Sequence, residues 1–483
     1  MRKVSYLTVI LFLTQMTIQT HGQKYVPDWE SLAQKDAAPQ WFEDAVLGIY
    51  FHWGIYSVPG NSCWTGMNMY KKSGTEWEHV PEGYKNTYHY IKETYGEPGV
   101  EFGYKDFIPM FTAEKWDPDR WAKLFKEAGA DFAGPVAVHH DGFELWDADN
   151  DDWNAYDMGP KRDIVKEMGE AVRKQGMKYF ASVHQFPIWW YFDEGRKLCP
   201  EGVDVNDPEF VEFYGDHEPG TDIPEDFQEI WYYKILELVD KYQPDQLWFD
   251  GSPPKDYQKD FLAYYFNAAE EWGREVMVSH KDTQLPLFCS VLDIEVGRKD
   301  EPSMHKWQTD ITLGGFSSRD DFPSWGYSHN AECRPINEII DGIVDRISKN
   351  GATLLDVAPK ADGTLPESQI EGLKKIGEWM SINKPALYAT EPASFGKIGT
   401  DQWRADDFRF TRKGPYVYAI KLEKPFAPLI IPGVRAVSDS KIELLGSDEE
   451  IKWHQKSGNI IIEELPEPLP CDYAWSFKIR VIR

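Results

Sequence analysis

Two patterns in the sequence predict an α/β fold, a (β/α)8-like barrel of the TIM type followed by a C-terminal antiparallel β-sandwich. From about residue 45 to about 382, short apolar runs that suit buried strands alternate with helix-compatible segments of about a dozen residues. From about Glu391, helical periodicity gives way to short alternating runs separated by turn residues, as in a small sandwich. The length of 483 residues accommodates both domains.

The elements follow from hydrophobic periodicity and from helix start and stop signals. The expected barrel strands are 45–51, 132–138, 178–183, 247–249, 275–279, 290–294 and 353–357. The expected helices are approximately 117–128, 163–175, 227–241, 258–272, 336–349 and 367–382. The expected sandwich strands are 417–422, 429–431, 436–437, 441–445, 460–463 and 474–482.

Three segments are predicted along the chain. Residues 1–22 have a positive start at Arg2 and Lys3, an apolar stretch and a small-residue exit near Gly22, which indicate a secretory signal peptide. Residues 23–390 are the predicted catalytic barrel and 391–483 the predicted sandwich. Since no later stretch approaches the length of a membrane span, we expect an exported protein, periplasmic or secreted, without such a span.

Composition narrows the function classes. With 52 basic and 80 acidic residues the formal net charge is −28, which repels phosphate backbones and argues against a nucleic-acid partner. Aromatic residues make up 15% of the chain, and their flat faces favour a carbohydrate partner because sugar rings stack on them. The five scattered cysteines contain no Cys-x-x-Cys pair, so one or two disulfides are conceivable but a zinc ribbon is not indicated.

The chemical regularity lies at the strand ends. Six expected strands end on a histidine or a carboxylate, at His52, at His139 and His140, at His184, at Asp250, at His280 and at Glu295. Each residue alone is more often structural, and Asp250 could simply cap the turn that follows it. In a barrel, however, all these strand ends converge on one mouth, which is where such folds place their active sites.

Two of these residues have the chemistry of a retaining glycosidase. Such enzymes use one carboxylate as nucleophile and a second as acid and then base, roughly 5 Å apart, which Asp250 and Glu295 could supply. The histidines, with Trp64, Trp248 and Trp325, would bind hydroxyls and stack on the sugar. A metal-dependent hydrolase is the main alternative. It would require His-x-His at the first strand end, where the chain has His52-Trp-Gly, and adjacent histidines usually point in different directions. We therefore expect no metal and no organic cofactor.

Several motifs resemble the α-L-fucosidases of glycoside hydrolase family 29. They occur in the order typical of that family and cover the chain from about residue 27 to about 390. They are residues 41–59, 111–118, 139–143, 158–163, 248–251, 307–310, 324–327, 349–355 and 359–363. The resemblance implies a retaining barrel enzyme with a C-terminal sandwich that acts on terminal α-L-fucosyl residues of oligo- or polysaccharides.

The resemblance also implies roles for individual residues. Asp250 in Trp248-Phe-Asp-Gly251 matches the nucleophile of the family. His52, His139, His140 and Trp248 match its sugar-binding positions. The acid/base is less uniformly placed in the family. Glu295 is our choice for it, with Glu301 as the fallback and Asp293, one layer deeper, as a weaker one.

Two departures from the family pattern concern the sugar pocket. The loop after the first strand usually carries Glu-Trp, and here Cys63-Trp64 stands at the nearest match, where a thiol replaces a carboxylate acceptor. After the fifth strand, where an arginine is common, this chain has Ser279-His280-Lys281. Two alternatives therefore stay open. One is an α-L-galactosidase or related α-L-glycosidase on the same scaffold, and the other is a carbohydrate-binding protein without catalysis. The oligomeric state is not predicted.

Overall fold

A computed structural model describes residues 24–71, 87–149, 151–184, 186–281, 284–317, 325–329, 331–393 and 408–482. The predicted signal peptide at 1–22 lies outside these residues. All five cysteines lie within them, and none of the five forms a disulfide bond there. Among the helices of these residues, none is both long enough and apolar enough to cross a bilayer.

The first domain is built on eight parallel strands. In chain order, the strands of this domain are β1 Leu47–Phe51, β2 Phe132–Val138, β3 Lys178–His184, β4 Gln246–Asp250, β5 Met277–His280, β6 Val291–Leu292, β7 Trp307–Thr312, β8 Gly314–Ser317, β9 Ala331–Cys333 and β10 Gly351–Val357. The eight parallel strands are β1 to β7 and β10, whereas β8 and β9 form a two-stranded antiparallel ribbon. The hydrogen-bonded order is β6-β5-β4-β3-β2-β1-β10-β7.

The barrel closes between β6 and β7. A parallel bridge joins Asp293 to Gln308 just beyond the two residues of β6. Two backbone hydrogen bonds continue this seam, from the Ile294 amide to the Gln308 carbonyl at 3.0 Å and from the Val296 amide to the Asp310 carbonyl at 2.9 Å. The predicted (β/α)8-like barrel is thus confirmed, with a short contact as its final join.

Helices surround the strands, as the alternating pattern predicts. The six that follow the predicted helical segments are α1 Pro118–Glu127, α2 Ile164–Lys174, α3 Glu225–Tyr242, α4 Gln258–Trp272, α5 Ile336–Ile347 and α6 Glu367–Asn383. The start of α1 shows why the sequence places it there, because the Asp117 side chain accepts a hydrogen bond from the Arg120 amide and Pro118 fills the first position.

Shorter helices lie before and between these elements. The α-helical ones are Trp29–Leu32, Gln40–Asp44, Thr65–Asn68, Thr87–Thr94, Asp193–Leu198 and Val211–Tyr214. The 3₁₀ helices are Ile55–Ser57, Tyr104–Met110, Phe186–Trp190, Asp204–Asn206, Pro208–Phe210 and Lys384–Ala386. Several of them belong to the long segments that follow β1 and β3, on the side of the barrel where those strands end.

Two strand predictions differ from the structure. The expected strand 290–294 is reduced to Val291–Leu292, so Glu295 lies in the turn beyond the strand. The strand Trp307–Thr312 was not predicted. Gln308, Asp310 and Thr312 occupy every second position of that strand and are all buried, so its inner face is polar and the segment does not read as an apolar run.

The C-terminal domain consists of two antiparallel sheets with their own apolar core. Its strands are β11 Glu391–Pro392, β12 Phe408–Lys413, β13 Tyr416–Lys421, β14 Leu429–Ile431, β15 Ile442–Leu444, β16 Trp453–Lys456, β17 Asn459–Ile462 and β18 Trp475–Arg480. One sheet has the order β11-β12-β13-β18-β15 and the other β14-β17-β16. The predicted sandwich is confirmed, although β11, β12 and β16 were not predicted and 436–437 makes only a bridge, between Ala436 and Val481.

Candidate active site

The inner face of the barrel carries polar side chains towards the carboxyl ends of the strands. Side chains alternate along a strand, so one set in each strand points into the barrel. On β4 this inner set is Gln246, Trp248 and Asp250, since the Gln246 amide donates to Ser279 and Gln308 across the interior. His184, Trp248 and Asp250 belong to inner sets of this kind, and the other predicted site residues except His280 lie beyond strand ends or in segments around the mouth.

Asp250 lies at the end of β4 and contacts His140 and Lys281. Its Oδ2 lies 3.1 Å from His140 Nε2 and its Oδ1 lies 3.1 Å from Lys281 Nζ. Burial would raise the pKa of Asp250, but the Lys281 ammonium and the His140 hydrogen bond outweigh it and hold that pKa well below its usual range. Asp250 is therefore a stable carboxylate, as a nucleophile must be.

Glu295 contacts the same ammonium, with its Oε2 3.0 Å from Lys281 Nζ. Because one oxygen of each carboxylate is about 3 Å from a single nitrogen, these two oxygens lie no more than about 6 Å apart. The Glu295 side chain is 44% exposed, and its partial burial raises its pKa. Lys281 opposes this and Asp310 adds to the increase, so the net shift is upward. The pKa values of Asp250 and Glu295 are thus shifted in opposite directions.

Lys281 also contacts the layer beneath. Its Nζ is 3.3 Å from Asp310 Oδ2 and lies 4.9 Å from the centre of the Trp248 ring and 5.5 Å from that of Trp325. Burial raises the pKa of Asp310 well above its usual value, against the effect of Lys281, and Asp293 raises it further. The ammonium is therefore the central positive charge of an acidic mouth.

Asp293 belongs to this lower layer. It accepts hydrogen bonds from Trp248 Nε1 at 2.9 Å, from Gln308 Nε2 at 2.6 Å and from the Asp310 amide at 3.0 Å. These bonds engage both of its oxygens, and the residue is 1% exposed. Asp293 thus fixes the Trp248 ring below the mouth, while Glu301, the other fallback for the acid/base, is an exposed residue of the loop before β7.

Four histidines line one side of the mouth. His52 Nδ1 lies 2.8 Å from Asp356 Oδ1 on β10, and His52 Nε2 lies 3.3 Å from His184 Nε2. The His139 ring is 5.5 Å from that of His52 and 4.9 Å from that of His184. Burial lowers the pKa values of His52, His139 and His184 well below the usual range, so their rings are neutral.

The adjacent pair His139 and His140 departs from the expectation that neighbours point apart. Their ring centres are only 4.5 Å apart, and both belong to the cluster. They follow the end of β2 at Val138, after a shift in the pairing of β2 with β3 between Val136 and Val138. Beyond the strand the side chains no longer have to alternate, and such irregularities commonly re-aim residues at active sites.

Two tryptophans complete the mouth. The Trp64 ring lies 4.7 Å from that of His140 and 6.1 Å from that of Tyr191. The Trp325 ring lies 5.6 Å from that of His52 and is 7% exposed. Both residues therefore lie around the histidine cluster.

His280 is the predicted site residue that the structure places differently. Ser279 on β5 points into the barrel, because it accepts a hydrogen bond from Gln246, so His280 points to the outer side of the sheet. There its Nε2 lies 3.1 Å from Ser290 Oγ. The residue that reaches the mouth is Lys281, one position later, whereas the structure places His280 outside the mouth.

Three functional candidates were not singled out from the sequence. Lys281 was noted only as a departure from the family pattern, and Asp310 only as part of a motif. Asp356 lies within the apolar run of β10, and a carboxylate in a buried strand was a signal that could have found it.

Comparison with known proteins is consistent with this geometry. The model of the α-L-fucosidase family matches residues 12–385, and that of the α-L-fucosidase C-terminal domain matches residues 401–480. The chain belongs to the α-L-fucosidase family. This membership confirms the enzyme class expected from the motifs, a glycoside hydrolase of the α-L-fucosidase type.

Relatives match almost the whole length of the chain. The tissue α-L-fucosidase of Bos taurus is 31% identical over 500 residues, which cover 96% of this chain and 93% of that protein. That of Rattus norvegicus is 30% identical over 504 residues, covering 97% and 96%. The crystal structure of the Thermotoga maritima α-fucosidase in complex with fucose is similar with a TM-score of 0.72 and 30% identity, covering 94% of this chain and 100% of that one.

Proposed function

We propose that this enzyme removes terminal α-L-fucosyl residues from glycans by a two-step mechanism that retains the anomeric configuration. The observation that carries the proposal is the pair Asp250 and Glu295, held by one ammonium with their nearest oxygens within about 6 Å of each other. An inverting enzyme needs a wider gap, of about 6.5–9.5 Å, to admit a water molecule.

In the first step Asp250 attacks the anomeric carbon and Glu295 protonates the leaving oxygen. The pKa of Asp250 is lowered and that of Glu295 is raised, which suits a carboxylate nucleophile and a protonated acid respectively. The product of this step is a covalent glycosyl-enzyme.

In the second step Glu295 deprotonates water, which attacks the anomeric carbon and frees Asp250. Lys281 would keep Asp250 ionised, because its ammonium lowers the pKa of that carboxyl group, and it also opposes the increase in the pKa of Glu295. The neutral histidines, which can both donate and accept hydrogen bonds, suit the hydroxyls of a sugar.

A second candidate substrate is an α-L-galactoside, which adds one hydroxyl to the fucose shape. The observation that favours it is Cys63, which stands at the position where the family pattern has a glutamate. Cys63 is 2% exposed and burial raises the pKa of its thiol to about 12, so it supplies no negative acceptor. The pocket therefore lacks one contact that would enforce the usual sugar.

Export is a further part of the proposal. It rests on the sequence of residues 1–22, with its basic start and apolar stretch. Determining the N-terminus of the protein recovered outside the cytoplasm would test it, and an intact N-terminus beginning at Met1 would contradict it.

The test of function is hydrolysis of aryl α-L-fucoside and aryl α-L-galactoside by the parent protein and by Asp250→Ala. We expect turnover by the parent and a loss of about 10⁴-fold or more in the variant, with an unchanged circular dichroism spectrum. Equal rates for both proteins would show that Asp250 is not the nucleophile. No turnover of either glycoside by the parent would favour a carbohydrate-binding protein without catalysis.

A further inference from the structure

We propose that His52, His139 and His184 form a binding site for a divalent transition metal such as Zn²⁺, and that an ion bound there blocks the sugar site. The three side chains lie at or just beyond the ends of β1, β2 and β3 and are buried. One possible ligand nitrogen of each lies within 4.8 Å of those of the other two. The inference goes beyond the proposed hydrolysis, which requires no metal.

Two of the three nitrogens already have the spacing of metal ligands. His52 Nε2 and His184 Nε2 are 3.3 Å apart. Tetrahedral zinc, with Zn–N distances of about 2.0–2.1 Å, separates its ligand nitrogens by roughly 3.3–3.4 Å. The pair could therefore accept an ion with little rearrangement, by replacing the hydrogen bond between the rings.

His52 is oriented as metal-binding histidines commonly are. Its Nδ1 lies 2.8 Å from Asp356 Oδ1. In the tautomer whose Nδ1–H donates a hydrogen bond to this oxygen, the lone pair is on Nε2, the atom that faces His184. A carboxylate behind the imidazole is the usual support of a histidine ligand, because it fixes the tautomer and the ring orientation.

His139 supplies the third ligand. Its Nδ1 is buried and, within the described residues, has no hydrogen-bond partner. The torsion that turns an imidazole ring has a broad minimum, so a modest rotation could bring a ring nitrogen to the ion. Three imidazoles leave a fourth position open for water, as in other three-histidine zinc sites.

The chemistry of the cluster selects the class of ion. Neutral imidazoles suit zinc, copper and nickel, whereas magnesium and calcium prefer oxygen ligands. The net charge of −28 attracts cations to the molecule.

An ion in this position would compete with the sugar. Three ring nitrogens committed to a metal can no longer bind hydroxyls at the positions proposed for the substrate. Zn²⁺ should therefore act as a competitive inhibitor of hydrolysis, relieved by a chelator.

The experiment is titration of the protein with Co²⁺, followed by its visible absorption, which is intense when the ion is tetrahedral. We expect one Co²⁺ per chain, displacement by Zn²⁺ and more than tenfold weaker binding in His184→Gln. Ser182→Ala is a milder second variant, since Ser182 Oγ is 3.5 Å from His184 Nδ1. Thermal melting in the absence of metal checks that each variant is folded.

His454→Gln is the matched control. His454 lies in the C-terminal domain, where its ring pairs with Glu463 at 3.2 Å and is 48% exposed. This variant should bind Co²⁺ as the parent does. Absence of the tetrahedral spectrum, or a spectrum unchanged in His184→Gln, would overturn the site, and non-competitive inhibition by Zn²⁺ would overturn the block. The Co²⁺ spectrum does not depend on turnover, so its outcome is separate from that of the Asp250→Ala test.

Discussion

The two ends of the barrel use buried polar side chains in opposite ways. At the amino end of the strands these side chains bind the backbone. Lys306 Nζ donates to the Glu43 carbonyl at 2.8 Å, and Asp131 Oδ2 accepts from the amides of Val46 and Leu47 at 2.8 and 3.3 Å. Such partners are fixed by the fold, so this end can be expected to contribute stability rather than chemistry.

At the carboxyl end the side chains mainly bind one another. Lys281 is shared by three carboxylates, His52 faces His184, and His140 faces Asp250. Within the described residues, Nδ1 of His139 and Nδ1 of His140 are buried without a hydrogen-bond partner. Groups of this kind can change partners when a ligand enters. The difference teaches that burial alone does not identify a site, whereas the type of partner does.

After Asp250→Ala, variants of Glu295 should give the largest effect at the mouth. Glu295→Ala removes the proposed acid/base, so we expect hydrolysis to fall by about 10²–10⁴-fold, less with aryl leaving groups that need no protonation. Added azide should restore the second step and yield a fucosyl azide of retained configuration. Glu301→Ala is the control, and azide rescue of Glu301→Ala instead would move the acid/base role to that residue.

Lys281→Met should be the next most severe. Lys281 lowers the pKa values of both Asp250 and Glu295, so its removal should raise both. Since Asp250 must be ionised and Glu295 protonated, both limbs of the kcat/KM profile should move to higher pH, with a loss of about 10²-fold at the optimum.

Two further variants serve as controls for Lys281→Met. Lys281→Arg keeps the charge and should retain the profile of the parent more closely than Lys281→Met. His280→Gln alters the neighbouring residue, whose ring faces away from the mouth, and should leave both limbs in place. A Lys281→Met profile that coincides with the parent profile would refute the proposed role of the ammonium.

Asp131→Asn should show the reverse pattern at the amino end. Asp131 accepts from two backbone amides and from Lys384 Nζ at 2.6 Å, so its replacement should reduce the free energy of unfolding by about 1–3 kcal/mol. Chemical denaturation and kcat measured on the same samples test this. A loss of kcat per folded molecule would show that the two ends are not separate in function.

Lys306→Met should have the smallest effect on hydrolysis, and its effect on stability depends on pH. Burial lowers the pKa of Lys306 to about 8 in the folded protein, below its ordinary value of 10.5. Between these values the unfolded chain binds more protons, so this residue makes the parent more stable as pH rises. The variant should lack that rise. Denaturation curves of the parent and of Lys306→Met, each measured at pH 7 and at pH 10, test this difference.

Much of the fold could be predicted because most barrel strands are apolar on both faces. The runs that became β1 to β5 and β10 stand out for this reason. The strand at Trp307–Thr312 does not, since its inner face consists of Gln308, Asp310 and Thr312. In the C-terminal domain, Trp453–Lys456 is largely exposed, so it lacks the alternation that marks a half-buried strand.

The site was predicted to the level of strand ends but not to the level of faces. Asp250 could be found because it ends an apolar strand and is followed by a turn. The choice between His280 and Lys281 required the phase of β5, which a strand of four residues does not reveal in the sequence. The roles of Asp293 and Asp310 depend on β7, so they could not be inferred before that strand was known.

Strand pairing around the barrel is uneven, because β6 has only two residues. The proposed nucleophile Asp250 ends a strand that is paired on both sides, whereas Glu295 lies beyond a seam joined by a single bridge and its neighbouring hydrogen bonds. Local opening requires least free energy where few such bonds must break, so the Ile294 and Val296 amides should exchange with deuterium sooner than those of β1. Glu295, the proposed acid/base, thus lies beside the part of the barrel that should open most easily, whereas Asp250 ends a strand that is paired on both sides.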